Sequence, residues 1–163
     1  MRYPRSVVLG ALTALACGTG ASGGSARGGC GTPGDSVISA AVNQYVVGLT
    51  PRPQRFLLAV GDSSLPDAAR SALQAKGPTY LYPPDSALRR QVHDKLTGVG
   101  DYPTLLLSYG GLQQMEENRA VVRLGGRFVS GSLDNHPAPA RAVHFQCDSA
   151  GWRFTHAVGD QSS

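Results

Sequence analysis

Apolar residues recur at Val37, Ile38, Ala41, Val42, Tyr45, Val46 and Leu49, a spacing that gives one broad helical face, until Pro51 and Pro53 end the run. Asp35 or Ser36 can cap its start. Phe56-Leu57-Leu58-Ala59-Val60 is an unbroken apolar stretch stopped by Gly61-Asp62, the pattern of a short buried strand. Pro66 to Lys76 predicts a short helix closed by Gly77, and Thr79 to Tyr82 a brief strand ahead of Pro83-Pro84. Another helix opens at Pro84 and Asp85, carries Leu88, Val92 and Leu96 on one stripe, and ends at Gly98.

After Pro103 the period changes from helical to alternating. Four strands are predicted, Thr104 to Tyr109, Arg119 to Ser130, Arg141 to Cys147 and Trp152 to Val158, separated by Gly, Asn, Asp and Pro clusters. Asp148-Ser149-Ala150-Gly151 makes the last link a tight hairpin. Alternation puts Trp152, Phe154, His156 and Val158 on one face, matched to Val143, Phe145 and Cys147. On the second strand Ala120, Val122, Leu124 and Phe128 face one way and Arg119, Arg123 and Arg127 the other. The expected fold is therefore α+β: N-terminal helices and a short buried strand, followed by a four-stranded antiparallel meander.

The first residues follow a different logic. Arg2 and Arg5 precede an apolar stretch, Ser6 to Ala16, which ends in Ala14-Leu15-Ala16 before Cys17. This is the charged region, short apolar region and small-residue site of an export signal, assigned to residues 1–16. A cysteine directly after that site resembles the lipobox of bacterial lipoproteins, which implies diacylglycerol on Cys17 and an extracytoplasmic, membrane-anchored chain. Ala-Leu-Ala also satisfies ordinary secretion, which would leave a periplasmic or secreted protein. From Gly18 to Gly34 eight of seventeen residues are Gly. With Cys17 this segment, residues 17–34, reads as a flexible tether reaching roughly 20 to 25 Å, and residues 35–160 as a single domain. No apolar run approaches the roughly 20 residues that a spanning helix needs.

That partition alters the charge balance. The chain carries 15 basic and 11 acidic residues, but Arg2, Arg5 and Arg27 precede the domain, leaving 12 basic against 11 acidic. Such a balance argues against a nucleic-acid partner. With Cys17 acylated, Cys30 and Cys147 remain, either as a disulfide closed in an oxidising compartment or as two free thiols.

Ser108 and Gly110, then Arg119-Ala120-Val121-Val122, then Gly151-Trp152-Arg153-Phe154 resemble the C-terminal meander of poorly characterised exported bacterial proteins. Helices followed by a curved sheet with a Gly-Trp-x-hydrophobic last strand are similar to nuclear-transport-factor-like and cystatin-like domains. The resemblance covers roughly residues 102–159 and implies architecture only, since such folds host enzymes and binding modules alike.

Val60-Gly61-Asp62-Ser63-Ser64-Leu65 resembles the nucleophile block of GDSL-type hydrolases, which would make Ser63 a nucleophile with His136 or His156 as its base. Asp134 is followed by Asn135-His136-Pro137 in place of that family's Asp-x-x-His, and the same Asp-Ser residues suit a turn and helix cap. His93, His136, His144 and His156 lack metal-ligand spacing, so neither a metal nor a cofactor is expected. His156, grouped by alternation with Trp152, reads as a core histidine or as a polar group lining an apolar pocket. Arg119, Arg123 and Arg127, at every fourth position of one strand, form either a solvated face or an anion-binding row. Taken together, the expectation is a small exported domain that binds an unidentified small molecule or protein. A hydrolase centred on Ser63 and a purely structural spacer in the cell envelope are the alternatives.

Overall fold

The computed structural model describes residues 30–59, 64–83, 85–97, 102–129 and 136–159. The export signal, Cys17, most of the tether and Ser63 lie outside them. The elements run α1 (Asp35–Val47), β1 (Arg55–Ala59), α2 (Asp67–Gln74), β2 (Thr79–Tyr82), α3 (Ser86–Thr97), β3 (Thr104–Glu116), β4 (Arg119–Phe128), β5 (Pro137–Asp148) and β6 (Gly151–Gly159). No helix among the described residues is long and apolar enough to cross a membrane.

All six strands join one sheet in the order β2-β1-β3-β4-β5-β6. This corrects the four-stranded antiparallel meander expected from the sequence. β1 pairs parallel with β2 and with β3, whereas β3 through β6 pair antiparallel, so the sheet is mixed. The reason lies in β1. Phe56 and Leu58 enter the main core while Leu57 enters a second cluster on the opposite side. A strand apolar on both faces needs cover on both, and parallel neighbours reached through helices supply it. Between β1 and β2 the chain passes through α2, whose Ala69 and Leu73 sit in the main core; between β2 and β3 it passes through α3, whose Val92 packs on the second cluster.

The main core lies between α1, α2 and the inner face of the sheet. Val37, Ala41, Val42, Tyr45 and Val46 of α1 are buried against Leu105, Val122, Val143 and Phe145. Gly34, rather than Asp35 or Ser36, holds the cap position of α1; its carbonyl accepts from Val37 N at 3.0 Å. Asp35 sits in the first turn, where a carboxylate favours the helix dipole. At the other end Arg141 Nη2 donates to Gly48 O at 2.7 Å, so β5 ties down the carboxyl end of α1. Asp85 caps α3: one carboxylate oxygen accepts from Ala87 N at 2.7 Å and Leu88 N at 3.0 Å. Those two bonds hold its carboxyl below the usual range.

Two strands run further than their sequence pattern predicts. β3 continues through Gly110-Gly111, where a bulge brings Gly111 to φ 112°, a conformation glycine tolerates. β5 begins at Pro137, its first residue, and Pro139 adjoins the register shift between Leu124 and Gly126, the two settings in which a strand accepts proline. Cys30 and Cys147 form a disulfide with a Cα–Cα distance of 5.8 Å, joining the segment before α1 to β5.

Candidate functional site

The outer face of the sheet is half covered. The cluster under α3 takes in Leu57, Leu106, Tyr82 and Val129, at the parallel end. Among the described residues no helix packs on the outer side of β4, β5 and β6; the contacts α1 makes there are with their inner, apolar side chains.

Register lays this open face out in cross-strand rows. Arg119, Gln146 and Arg153 are aligned; the next row holds Gln113, Val121, His144 and His156; the third holds Arg123, Ala142 and Val158. Successive rows on one face are about 7 Å apart, so the histidine row lies between two arginine rows. The His144 and His156 rings stack in parallel, with centroids 4.5 Å apart and planes 5° apart. Val121 beneath them is only 2% exposed, shielded by its polar neighbours although it belongs to the outer face. A depression of about 470 Å³ opens here, lined by Met115, Glu116, Arg119, His144, Gln146 and His156.

Local bonds hold these groups in place. Arg123 Nη1 donates to Gln113 Oε1 at 3.0 Å. Arg119 pairs with Glu116 at 3.5 Å and Arg153 with Asp148 at 3.1 Å, both exposed contacts and therefore weak. Thr155 Oγ1 donates to His144 O at 3.1 Å, which uses its one proton. His156 Nδ1 lies 3.0 Å from the same oxygen, and the imidazole tautomer sets the direction of that contact. Burial lowers the pKa of His144, and His156, Arg119 and Arg123 push it in the same direction. At neutral pH the uncharged form of His144 is therefore favoured, and an anion drawn to this face would ease its protonation.

The residues singled out in the sequence are distributed as follows. Arg119 and Arg123 flank the histidine stack. Arg127, four residues further on and about 13 Å from Arg123 along the strand, is half-buried and borders a different trough. His156 does not share the inner face with Trp152, as alternation had placed it. A bulge in β6 at Thr155 shifts the register, so Phe154 still pairs with Phe145 but His156 pairs with His144. Trp152 stays on the inner side, packed against the core, with its indole Nε1 unpartnered among the described residues. His136 is exposed and its carbonyl accepts from Phe128 N at 2.8 Å. Sequence reasoning weighed His144 only as a metal ligand and did not single out Gln146 or Arg153. The signal for the first two was present, because both alternate with Val143, Phe145 and Cys147 on β5.

Among the described residues no group of three or more His, Cys, Asp or Glu is arranged to hold a metal ion. Compared with known proteins, the chain matches no family model, no curated protein and no solved structure.

Proposed function

We propose that this protein is an exported binding domain, tethered through Cys17, that receives an anionic ligand on the open face of β4 to β6. One observation carries the reading: a parallel histidine pair set between arginine rows on a sheet face that no described helix covers. Arginine forks and histidine N–H groups suit carboxylate or phosphate oxygens, and the extended strands fix their spacing. The Cys30–Cys147 disulfide supports an extracytoplasmic setting, where such bonds persist. The lipobox-like Ala14-Leu15-Ala16-Cys17 and the glycine-rich residues after it support the tether.

The test is the unfolding midpoint of the protein titrated with citrate and with inorganic phosphate. A saturable rise that disappears in an Arg119→Gln/Arg123→Gln variant is expected. A midpoint that neither anion moves, or that rises equally in the variant, overturns the reading. Intact mass of detergent-extracted protein tests the anchor, and a chain beginning at Cys17 without acyl mass refutes it.

A further inference from the structure

A second concavity of about 470 Å³ lies where the two halves of the sheet part. β1 pairs with β3 only from Arg55 to Leu57 and ends at Ala59, whereas β3 continues to Glu116. Among the described residues, β3 beyond Leu106 is hydrogen-bonded to β4 alone. The next described element, α2, packs on the inner face, while α3 covers the outer face beside β1. In open sheets of this kind, such a divergence at the carboxyl end of a parallel strand is where ligands are held.

The lining is simple. Ala59, Leu106, Ala138 and Ala140 make it apolar, Gly125 and Gly126 leave its floor bare, and Arg127 and Ser108 are its polar side chains. Gly126 is required by packing, because a Cβ there would run into the carbonyl oxygen of Leu106. Gly125 is not: a Cβ there would meet Ala140 Cβ at 3.7 Å, an ordinary contact, so the space above it is empty by composition and not by constraint. Arg127 is half-buried, and among the described residues its guanidinium has no hydrogen-bond or ion-pair partner. Among the described residues, a cation in that position has lost part of its hydration without gaining a counter-charge.

From these features we infer that the trough binds a small monocarboxylate with an apolar tail. The carboxylate engages the planar fork of Arg127 and the tail lies over Gly125 toward Ala140 and Ala59. One cation matches one negative charge, and a guanidinium presents two parallel N–H groups to the two oxygens of a carboxylate. A phosphate dianion would bring a second charge to walls whose described residues offer no second cation. The site is independent of the proposed anion face, since it uses none of Arg119, Arg123, His144 or His156.

Hexanoate is the probe, followed by amide chemical shifts of the whole protein, with hexanol and inorganic phosphate as comparators. Saturable shifts at Ser108, Gly125, Gly126 and Ala140 are expected with hexanoate. Two variants should weaken binding about tenfold or more: Arg127→Gln, which removes the fork, and Gly125→Val, which fills the floor. Arg119→Gln/Arg123→Gln should leave it unchanged, which separates failure here from failure of the anion-face reading. No saturable shift, equal binding of hexanol, displacement by phosphate at matched concentration, or undiminished binding in both trough variants would each overturn the inference. The spectrum of each variant shows directly whether it has folded, and Arg127→Lys supplies a second folded variant that keeps the charge and loses the fork.

Discussion

The parallel and antiparallel halves of the sheet solve the same burial problem in opposite ways. Around β1 both faces are closed: Phe56 and Leu58 against the inner helices, Leu57 under α3. Across β4 to β6 only the inner face is closed, and the outer one is left to Arg119, Arg123, His144, Gln146, Arg153 and His156. A doubly covered strand has no side chain free for recognition. A singly covered one exposes every second residue, at fixed spacing, on a rigid support. The candidate chemistry lies where the helices stop, both on the open face itself and in the trough at the seam.

The contrast is most sharply broken by matched truncations. Phe56→Ala removes a 1% exposed side chain from the closed half and should cost about 3–5 kcal/mol in urea unfolding. Val158→Ala, on the open half at 45% exposure, should change stability by less than about 0.5 kcal/mol. Comparable losses from the two would mean that the outer face of β6 is covered in solution.

Next in size is the disulfide. Cys30–Cys147 closes a separation of 117 residues and fastens the segment before α1 to β5. Replacing both cysteines by serine should cost about 2–5 kcal/mol. The link ends on β5, so when it is removed the amides of β5 and β6 should gain hydrogen exchange before those of β1. Simultaneous loss of protection in both halves would show that they unfold as one unit.

Smaller again is the effect of the Tyr45 hydroxyl. Tyr45 is fully buried in α1, its oxygen has no hydrogen-bond partner among the described residues, and burial raises its pKa against the opposing pull of Arg141. Tyr45→Phe keeps the ring and removes the unsatisfied group, so it should raise stability by about 1 kcal/mol. A loss instead would show that a buried water satisfies the hydroxyl.

These elements were not equally readable from the chain. Alternation and the helical stripe located α1, α3 and much of β4, because a face that must be buried writes its period into the sequence. Partnership was hidden. Nothing local in Phe56-Leu57-Leu58 says which strands flank it, and the parallel neighbours come from contacts remote in sequence. The histidine pair was hidden by a single residue. Thr155 is an ordinary strand residue, yet the bulge it forms carries His156 from the Trp152 side to the His144 side, as any one-residue shift must. The same holds for Gly110-Gly111, which read as a strand end and prove to be a bulge within β3.

The smallest effect, and the one most specific to the open face, is a dependence of stability on pH. The groups facing His144 are Glu116 and Gln113 from β3, Arg119 and Arg123 from β4, and His156 and Arg153 from β6. Burial, His156 and the two β4 arginines hold its pKa below 6.5 in the folded chain, whereas the unfolded chain keeps the ordinary value. Between those two values the unfolded state binds more protons, so stability rises with pH there. His144 therefore costs nothing above about pH 6.5, and its penalty grows as pH falls through the window below. His144→Gln removes the titrating group and should flatten that part of the profile of unfolding midpoint against pH. Citrate should have the same effect on the unsubstituted protein, by supplying negative charge to a protonated stack. A slope that survives His144→Gln would mean that other groups set the acid response, and a slope that vanishes in the variant but persists in citrate would separate the histidine pair from anion binding.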